Sequence, residues 1–142
     1  MRIQVMSDLH FEFCGDAGED FIETLAPAMV DLLIVAGDLN RPPWLYRSLE
    51  LLCRRYAGRP VVYVPGNHEF YGSSWAETTG SLRQADENFS NLTVLVPGVM
   101  PNVAGRRIVG CTLWFPYPTD ETVGAEAALN DFEMIRDFRE WV

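Results

Sequence analysis

The sequence contains no lysine: all 11 of its basic residues are arginine, and 20 acidic residues give it a formal net charge of −9. Arg54-Arg55 and Arg106-Arg107 are the only adjacent basic pairs, far short of the basic track that binds a polyanion. Long nucleic acid is therefore a poor candidate partner. The chain also lacks a run of the ~20 apolar residues that a membrane helix needs, and Asp8 comes too early for a secretory signal. We expect a cytoplasmic protein with no membrane partner.

Cysteine is scarce as well. The three cysteines, Cys14, Cys53 and Cys111, are odd in number and far apart, and no C-x-x-C pair occurs. This spacing predicts neither a zinc knuckle nor a disulfide framework. Reduced, mostly buried thiols are the ordinary expectation for such residues.

The order of apolar segments predicts an α/β fold in a single domain spanning residues 1–142. Short apolar runs typical of buried strands alternate with segments of helical periodicity, and this alternation favours a parallel sheet in the first half of the chain. We expect a layered sandwich of mixed sheets flanked by helices. The predicted strands are 3–6, 31–36, 60–64, 92–96 and 107–114, and the predicted helices are 21–30, 44–56, 75–88 with Ser73-Ser74 as its cap, and 122–139.

Polar residues follow each of the first three predicted strands. The three clusters are Asp8-Leu9-His10, Gly37-Asp38-Leu39-Asn40 and Gly66-Asn67-His68-Glu69, and they include both histidines of the chain. Because ligands bind at the carboxyl ends of strands in open α/β sheets, the clusters should share one edge. Their carboxylate, amide and imidazole groups suit divalent metals of borderline hardness.

The local spacing supports this expectation. Asp8 and His10 are two residues apart and would share a face of a regular strand. Gly37 and Gly66 stand where the chain must turn sharply and approach the site closely.

Each of these residues also has an ordinary structural interpretation. Asp38 could be only a turn or helix-capping residue, and Asn67, after Pro65-Gly66, could serve turn chemistry. A single histidine is more often a satisfied core or surface residue than a ligand. The joint occurrence of all three clusters in one order favours a metal site.

At these residues the sequence resembles the calcineurin-like metallophosphoesterase superfamily, whose motif order is D-x-H, G-D and G-N-H-[D/E]. The resemblance covers essentially the whole chain but only the first half of the family's fold. The family completes its site with a lone histidine and a G-H-x-H motif, whereas this sequence has no histidine after His68 and ends at Val142. We therefore expect a domain truncated at its C-terminus.

The resemblance implies a dinuclear site that hydrolyses phosphomonoester or phosphodiester bonds of a small substrate. The two divalent ions would be Mn, Fe or Zn, about 3.5–4 Å apart and clamping the attacking and leaving oxygens. The implied roles are Asp8 and His10 on the first metal, Asp38 as a bridge, Asn67 on the second metal, His68 as general acid and Glu69 as the residue that holds the ring of His68.

Substrate contacts are less defined. Arg41 is a weak candidate for a phosphate contact. Several aromatic residues could wall a substrate pocket, although core packing is the commoner role of such residues. These aromatic residues are Phe70, Tyr71, Trp75, Trp114 and Phe115.

A second hypothesis is an incomplete metal-binding module, weak or inactive without a missing C-terminal half or partner. A half-fold should leave an exposed sheet edge and an apolar face. A homo-oligomer or a C-terminal partner fragment would then cover them.

Overall fold

A four-stranded parallel sheet forms the centre of the computed structural model, which describes residues 1–114 and 122–142. The strands lie side by side in the order of the sequence. This arrangement confirms the predicted α/β class and the parallel pairing of the first strands. The strands are β1 (Ile3–Met6), β2 (Leu32–Ala36), β3 (Val61–Val64) and β4 (Leu92–Val94).

Three crossover helices connect these strands: α1 (Glu19–Thr24), α2 (Leu45–Arg55) and α3 (Trp75–Asn88). Because right-handed crossovers between neighbouring parallel strands place every helix on the same side, one face of the sheet carries all three. The main hydrophobic core lies between them. Its fully buried members include Leu33, Val35, Leu52, Val61, Tyr63 and Ala85.

Local sequence features explain the buried face of α2, the start of α3 and the end of α1. In α2 the leucines at positions 45, 49 and 52 follow helical spacing and are all buried. Ser74 caps α3, since its side chain accepts a hydrogen bond from the backbone N–H of Glu77 at 3.3 Å. The predicted helix 21–30 is wrong beyond Thr24, because Pro27 cannot donate a backbone hydrogen bond and instead opens a short 3-10 turn, Pro27–Met29.

The opposite face of the sheet is only partly covered. Leu32 and Val62 are buried there against Leu95 and Val103, but on the edge strand β1 the side chain of Val5 is 63% exposed. Ile3, on the same face of β1, is 46% exposed. Among the described residues, the expected exposed sheet edge and apolar face are therefore both present at β1.

The second half of the chain differs most from expectation. A small antiparallel pair, β5 (Asn102–Val103) and β6 (Arg106–Arg107), replaces the predicted strand 107–114. The segment after β6 instead follows the carboxyl edge of the main sheet, where the hydroxyl of Thr112 donates to the carbonyl of Pro65.

The predicted helix 122–139 is divided into α4 (Thr122–Ala128), α5 (Asp131–Met134) and α6 (Phe138–Trp141). Tertiary contacts override helical composition here. The carboxylate of Asp137 accepts from the backbone N–H of Trp75 at 3.0 and 3.1 Å, at the start of α3. The side chain of Asp131 turns toward the carboxyl edge of the sheet.

An aromatic cluster packs these last helices against the rest of the protein. Phe70, Trp75 and Trp114 are in ring contact with Trp141. Phe70 is fully buried in this cluster, whereas Trp75 and Trp114 are half-buried; Phe115 lies outside the described residues.

None of the helices in the described ranges is long and apolar enough to cross a membrane. The cytoplasmic location stays a prediction. Of the three free thiols, Cys53 is buried, Cys111 is half-buried and Cys14 is exposed.

Candidate metal centre

The three polar clusters meet at the carboxyl edge of the sheet, as the sequence predicts. Beyond the end of β1, the backbone stays hydrogen-bonded to the segment that follows β2. The backbone N–H of Asp8 donates to the carbonyl of Gly37 at 3.1 Å, and that of His10 to the carbonyl of Asp38 at 2.9 Å. The loop after β3 reaches the same place, since the backbone N–H of His68 donates to Asp38 Oδ1 at 3.2 Å.

Three predicted metal ligands have left-handed backbone. The φ angles are 54° at Asp8, 47° at His10 and 52° at Asp38. Non-glycine residues adopt this conformation rarely, and such residues concentrate at functional sites. The expectation that Asp8 and His10 share a regular strand face is wrong, because β1 ends at Met6 and the turned backbone sets their directions instead.

Two glycines make the close approach possible. Gly37 has φ 83°, and a Cβ there would lie 3.1 Å from the Cα of Gly66. At Gly66 a Cβ would lie 2.1 Å from Asp38 Oδ1 and 2.7 Å from the nitrogen of Asp38. The predicted turn and close approach at these glycines are therefore confirmed.

The donor atoms of His10, Asp38 and His68 form a group in which all lie within 4.8 Å of one another. His10 Nε2 is 3.9 Å from Asp38 Oδ2, and the two imidazole rings meet edge to face with centroids 4.5 Å apart. Ligand atoms around one cation lie roughly 3–4 Å apart. The group therefore fits a single divalent ion with small side-chain movements, and its two nitrogens and one carboxylate suit Mn, Fe or Zn.

Asp8 and Asn67 line the same groove as Asp38, and Asp8 stands outside that group of histidine and carboxylate donors. The groove has a volume of about 540 Å³. Asp8 is exposed. Asn67 is half-buried, and its amide nitrogen donates to the hydroxyl of Tyr71 at 2.8 Å and to Asp131 Oδ1 at 2.7 Å. These contacts use the two amide hydrogens and hold the side chain in place, and the amide oxygen is the atom that Asn67 could offer to a cation.

Asp131 is a site residue that the sequence analysis missed. Its carboxylate also accepts from the hydroxyl of Tyr71 at 2.8 Å and from Trp114 Nε1 at 2.9 Å. Burial raises the pKa of Tyr71, and the adjacent Asp131 raises it further, so the phenol stays protonated and able to donate. Position 131 lies 64 residues after Asn67, and no local spacing indicates the contact.

Glu12 is the second residue that the sequence analysis missed. Its side chain is 2% exposed, and its Oε1 lies 2.6 Å from His68 Nδ1 and 3.2 Å from His10 Nδ1. Burial raises the pKa of Glu12, but hydrogen bonds from its own backbone and from both histidines outweigh burial, and the pKa falls below its usual value. The only sequence signal is an acidic residue two positions after His10, between Phe11 and Phe13.

Glu69 is fully buried and has different contacts from those expected. Its carboxylate accepts from the backbone N–H groups of Asp38 at 3.2 Å, Leu39 at 2.6 Å and Gly66 at 2.7 Å. Burial raises its pKa. Glu69 therefore joins the loops after β2 and β3 and supports the backbone of Asp38, whereas the carboxylate on the ring of His68 is that of Glu12.

Arg41 lies at a separate recess of about 330 Å³, which Glu12, Trp44 and Tyr71 also line. A phosphate contact by Arg41 stays a prediction. Of the aromatics considered for a substrate pocket, Tyr71 reaches the site with its ring centroid 4.4 Å from that of His68, and Trp114 lines the groove.

The fold and the site together define the class of this protein. It is an α/β protein with a candidate metal centre, in which histidine and aspartate donors meet at the carboxyl edge of a parallel sheet. The sequence model of the calcineurin-like phosphoesterase family matches residues 1–137. The chain therefore belongs to the calcineurin-like phosphoesterase family. Comparisons with curated proteins and with solved structures find no match.

Proposed function

We propose that this protein hydrolyses phosphomonoester or phosphodiester bonds of a small substrate at a dinuclear metal site. The observation that carries the proposal is the convergence of His10, Asp38 and His68 from three separate strand ends. Family membership supports the reaction class. When bound, divalent cations would attract the phosphate and offset the charge that develops during in-line displacement.

The side chains at the site would have two kinds of role, holding the cations and donating a proton. His10 and Asp38 would hold cations, with Asp8 and the amide oxygen of Asn67 completing the set. Asp38 would serve as the shared ligand: its Oδ1 accepts the backbone N–H of His68, which fixes the carboxylate, and its Oδ2 faces His10. His68 would give a proton to the departing alkoxide.

The net charge of −9 and the scarcity of basic pairs favour a small phosphate ester over a long nucleic acid. Groups on the substrate beyond the phosphate would lie in the groove beside Asp8 and Asn67, whose other lining residues include Ile34, Val64 and Leu113.

Hydrolysis of a chromogenic aryl phosphate and a bis-aryl phosphate with Mn²⁺ tests the proposal. We expect Asp38→Asn to abolish turnover, and His68→Ala to lower it by about 10²–10⁴-fold, the typical loss of a proton donor. Asp20→Asn, at an exposed carboxylate of α1, is the matched control and should behave as the parent. Turnover that survives both site variants would contradict the proposal.

A second candidate is a metal-binding module that is weak or inactive until a further segment, a partner fragment or a second copy completes it. The exposed Ile3 and Val5 on β1 favour this candidate. It predicts Mn²⁺ binding that depends on Asp38 but no hydrolysis of either aryl ester. It also predicts self-association at high concentration, so a monodisperse monomer would count against it.

A further inference from the structure

Glu12 contacts both histidines of the protein through a single oxygen. Its Oε1 is 2.6 Å from His68 Nδ1 and 3.2 Å from His10 Nδ1, and its side chain is almost fully buried. Among the buried polar atoms in the described residues, Glu12 Oε2 is one of three without a hydrogen-bond partner. Within the part of the chain that the structure describes, this carboxylate forms its side-chain hydrogen bonds with the two imidazoles alone.

This geometry determines which ring nitrogen of each histidine carries hydrogen. A carboxylate accepts hydrogen bonds and does not donate them, so both Nδ1 atoms must be the donors. In each neutral ring the Nε2 atom is then without hydrogen. For His10, Nε2 is the atom that lies 3.9 Å from Asp38 Oδ2, on the side where a cation would be held.

A surface role does not explain this arrangement. An exposed glutamate on a 3-10 turn would contact solvent, whereas Glu12 brings a charge into the interior, where only paired charges are tolerated. Its neighbour Phe11 is 3% exposed and fixes the turn Phe11–Phe13 against the core. The side chain is thus held where its carboxylate reaches both rings.

We propose that Glu12 is a shared positioning residue, which holds His10 and His68 in the Nδ1–H tautomer and turns Nε2 of His10 toward Asp38. A carboxylate behind a metal-binding histidine fixes its ring and strengthens it as a ligand. Here one carboxylate would do so for a metal ligand and would also orient His68, which must take up a proton on Nε2 before it can give one to the departing alkoxide. The inference rests on the proposed function for the role of His68, but its statement about tautomers does not.

Nuclear magnetic resonance of the metal-free protein labelled with ¹⁵N in histidine tests the tautomers directly. The chain has only two histidines, so two imidazoles give all the signals, and His10→Ala and His68→Ala assign them. At alkaline pH, where imidazoles are neutral, we expect both rings of the parent to show hydrogen on Nδ1. In Glu12→Ala both should become mixtures of the two tautomers.

Mn²⁺ affinity, measured by calorimetry, gives the second readout. Loss of such a supporting carboxylate lowers metal affinity by about 10–100-fold, and we expect this loss in Glu12→Ala. Glu12→Gln keeps the shape and a neutral acceptor, which makes weaker hydrogen bonds than a charged one. Its affinity should therefore lie between those of the parent and Glu12→Ala. Glu23→Gln, at an exposed glutamate of α1, should match the parent in both measurements.

Unchanged tautomers in Glu12→Ala, or Mn²⁺ affinity equal to that of Glu23→Gln, would overturn the proposal. If Glu12→Ala does not fold, Glu12→Gln decides, and parent-like affinity in that variant would overturn the proposal equally. A parent that binds Mn²⁺ but hydrolyses no ester contradicts the proposed function alone. The tautomers and affinities would still decide the role of Glu12.

Discussion

Replacing Gly66 by alanine should disable the metal centre through one steric contact. The added Cβ would lie 2.1 Å from Asp38 Oδ1 and 2.7 Å from the nitrogen of Asp38, whereas real Cβ contacts stay beyond 3.0 Å. Gly66 is not one of the glycines with a left-handed backbone. The expected damage therefore comes from the clash and not from backbone strain.

The size of the effect follows from the movement required. The carboxylate and backbone of Asp38 must shift by about 1 Å, and a misplacement of that size at a reacting centre costs about 10²-fold in rate. Overpacking of this kind destabilises the fold by about 1–3 kcal/mol. We therefore expect Gly66→Ala to fold at low temperature, yet to lose about 10²-fold or more in turnover.

Two measurements check this expectation: calorimetric titration with Mn²⁺ and hydrolysis of an aryl phosphate, each beside Gly80→Ala. Gly80 lies within α3, where a Cβ meets nothing within 4 Å. Alanine there should raise stability by about 0.5–1 kcal/mol and leave the site unchanged. A folded Gly66→Ala protein with parent-like Mn²⁺ affinity and turnover would refute the role given to this contact.

Three further predictions concern other parts of the protein. Asp131→Asn would place an amide donor opposite groups that now donate to the carboxylate, such as the amide of Asn67. We expect the free energy of unfolding in urea to fall by about 1–3 kcal/mol. An unchanged urea midpoint would contradict a stabilising role for the hydrogen bonds to Asp131. Burial raises the pKa of Cys53 to about 12. At neutral pH a disulfide reagent should therefore modify the exposed Cys14 rapidly and Cys53 only when the protein unfolds. Rapid modification of a Cys14→Ser, Cys111→Ser variant, in which Cys53 is the remaining thiol, would contradict this expectation. If a second copy covers the exposed face of β1, Val5→Lys should shift the protein to monomer in light scattering, whereas no change in mass would exclude that face.

The sequence allowed the sheet and the place of the site to be predicted because both follow from local patterns. Apolar runs of strand length identify β1 to β3, and their order predicts parallel pairing. The polar clusters that follow these strands must then share an edge. Asp38 and His68 come together for this reason, although 30 residues separate them.

Contacts that depend on tertiary packing were not predictable in this way. The burial of Glu12 beside both histidines requires the turn at Phe11 to pack on the core, and no periodicity encodes it. The same is true of Asp131, whose contact with Asn67 also helps to divide the last predicted helix. Glu69 illustrates a related limit, since its position beside His68 suggested a ring contact, but burial directs its carboxylate to backbone N–H groups.

Anomalous diffraction from crystals of the protein grown with Mn²⁺ tests the central claim most directly, because it locates the ion without assuming any activity. The account predicts a peak within about 2–2.5 Å of His10 Nε2 and Asp38 Oδ2, at the edge where the three strand ends meet. A well-ordered crystal whose manganese peaks all lie elsewhere, with these side chains unmoved, would contradict it.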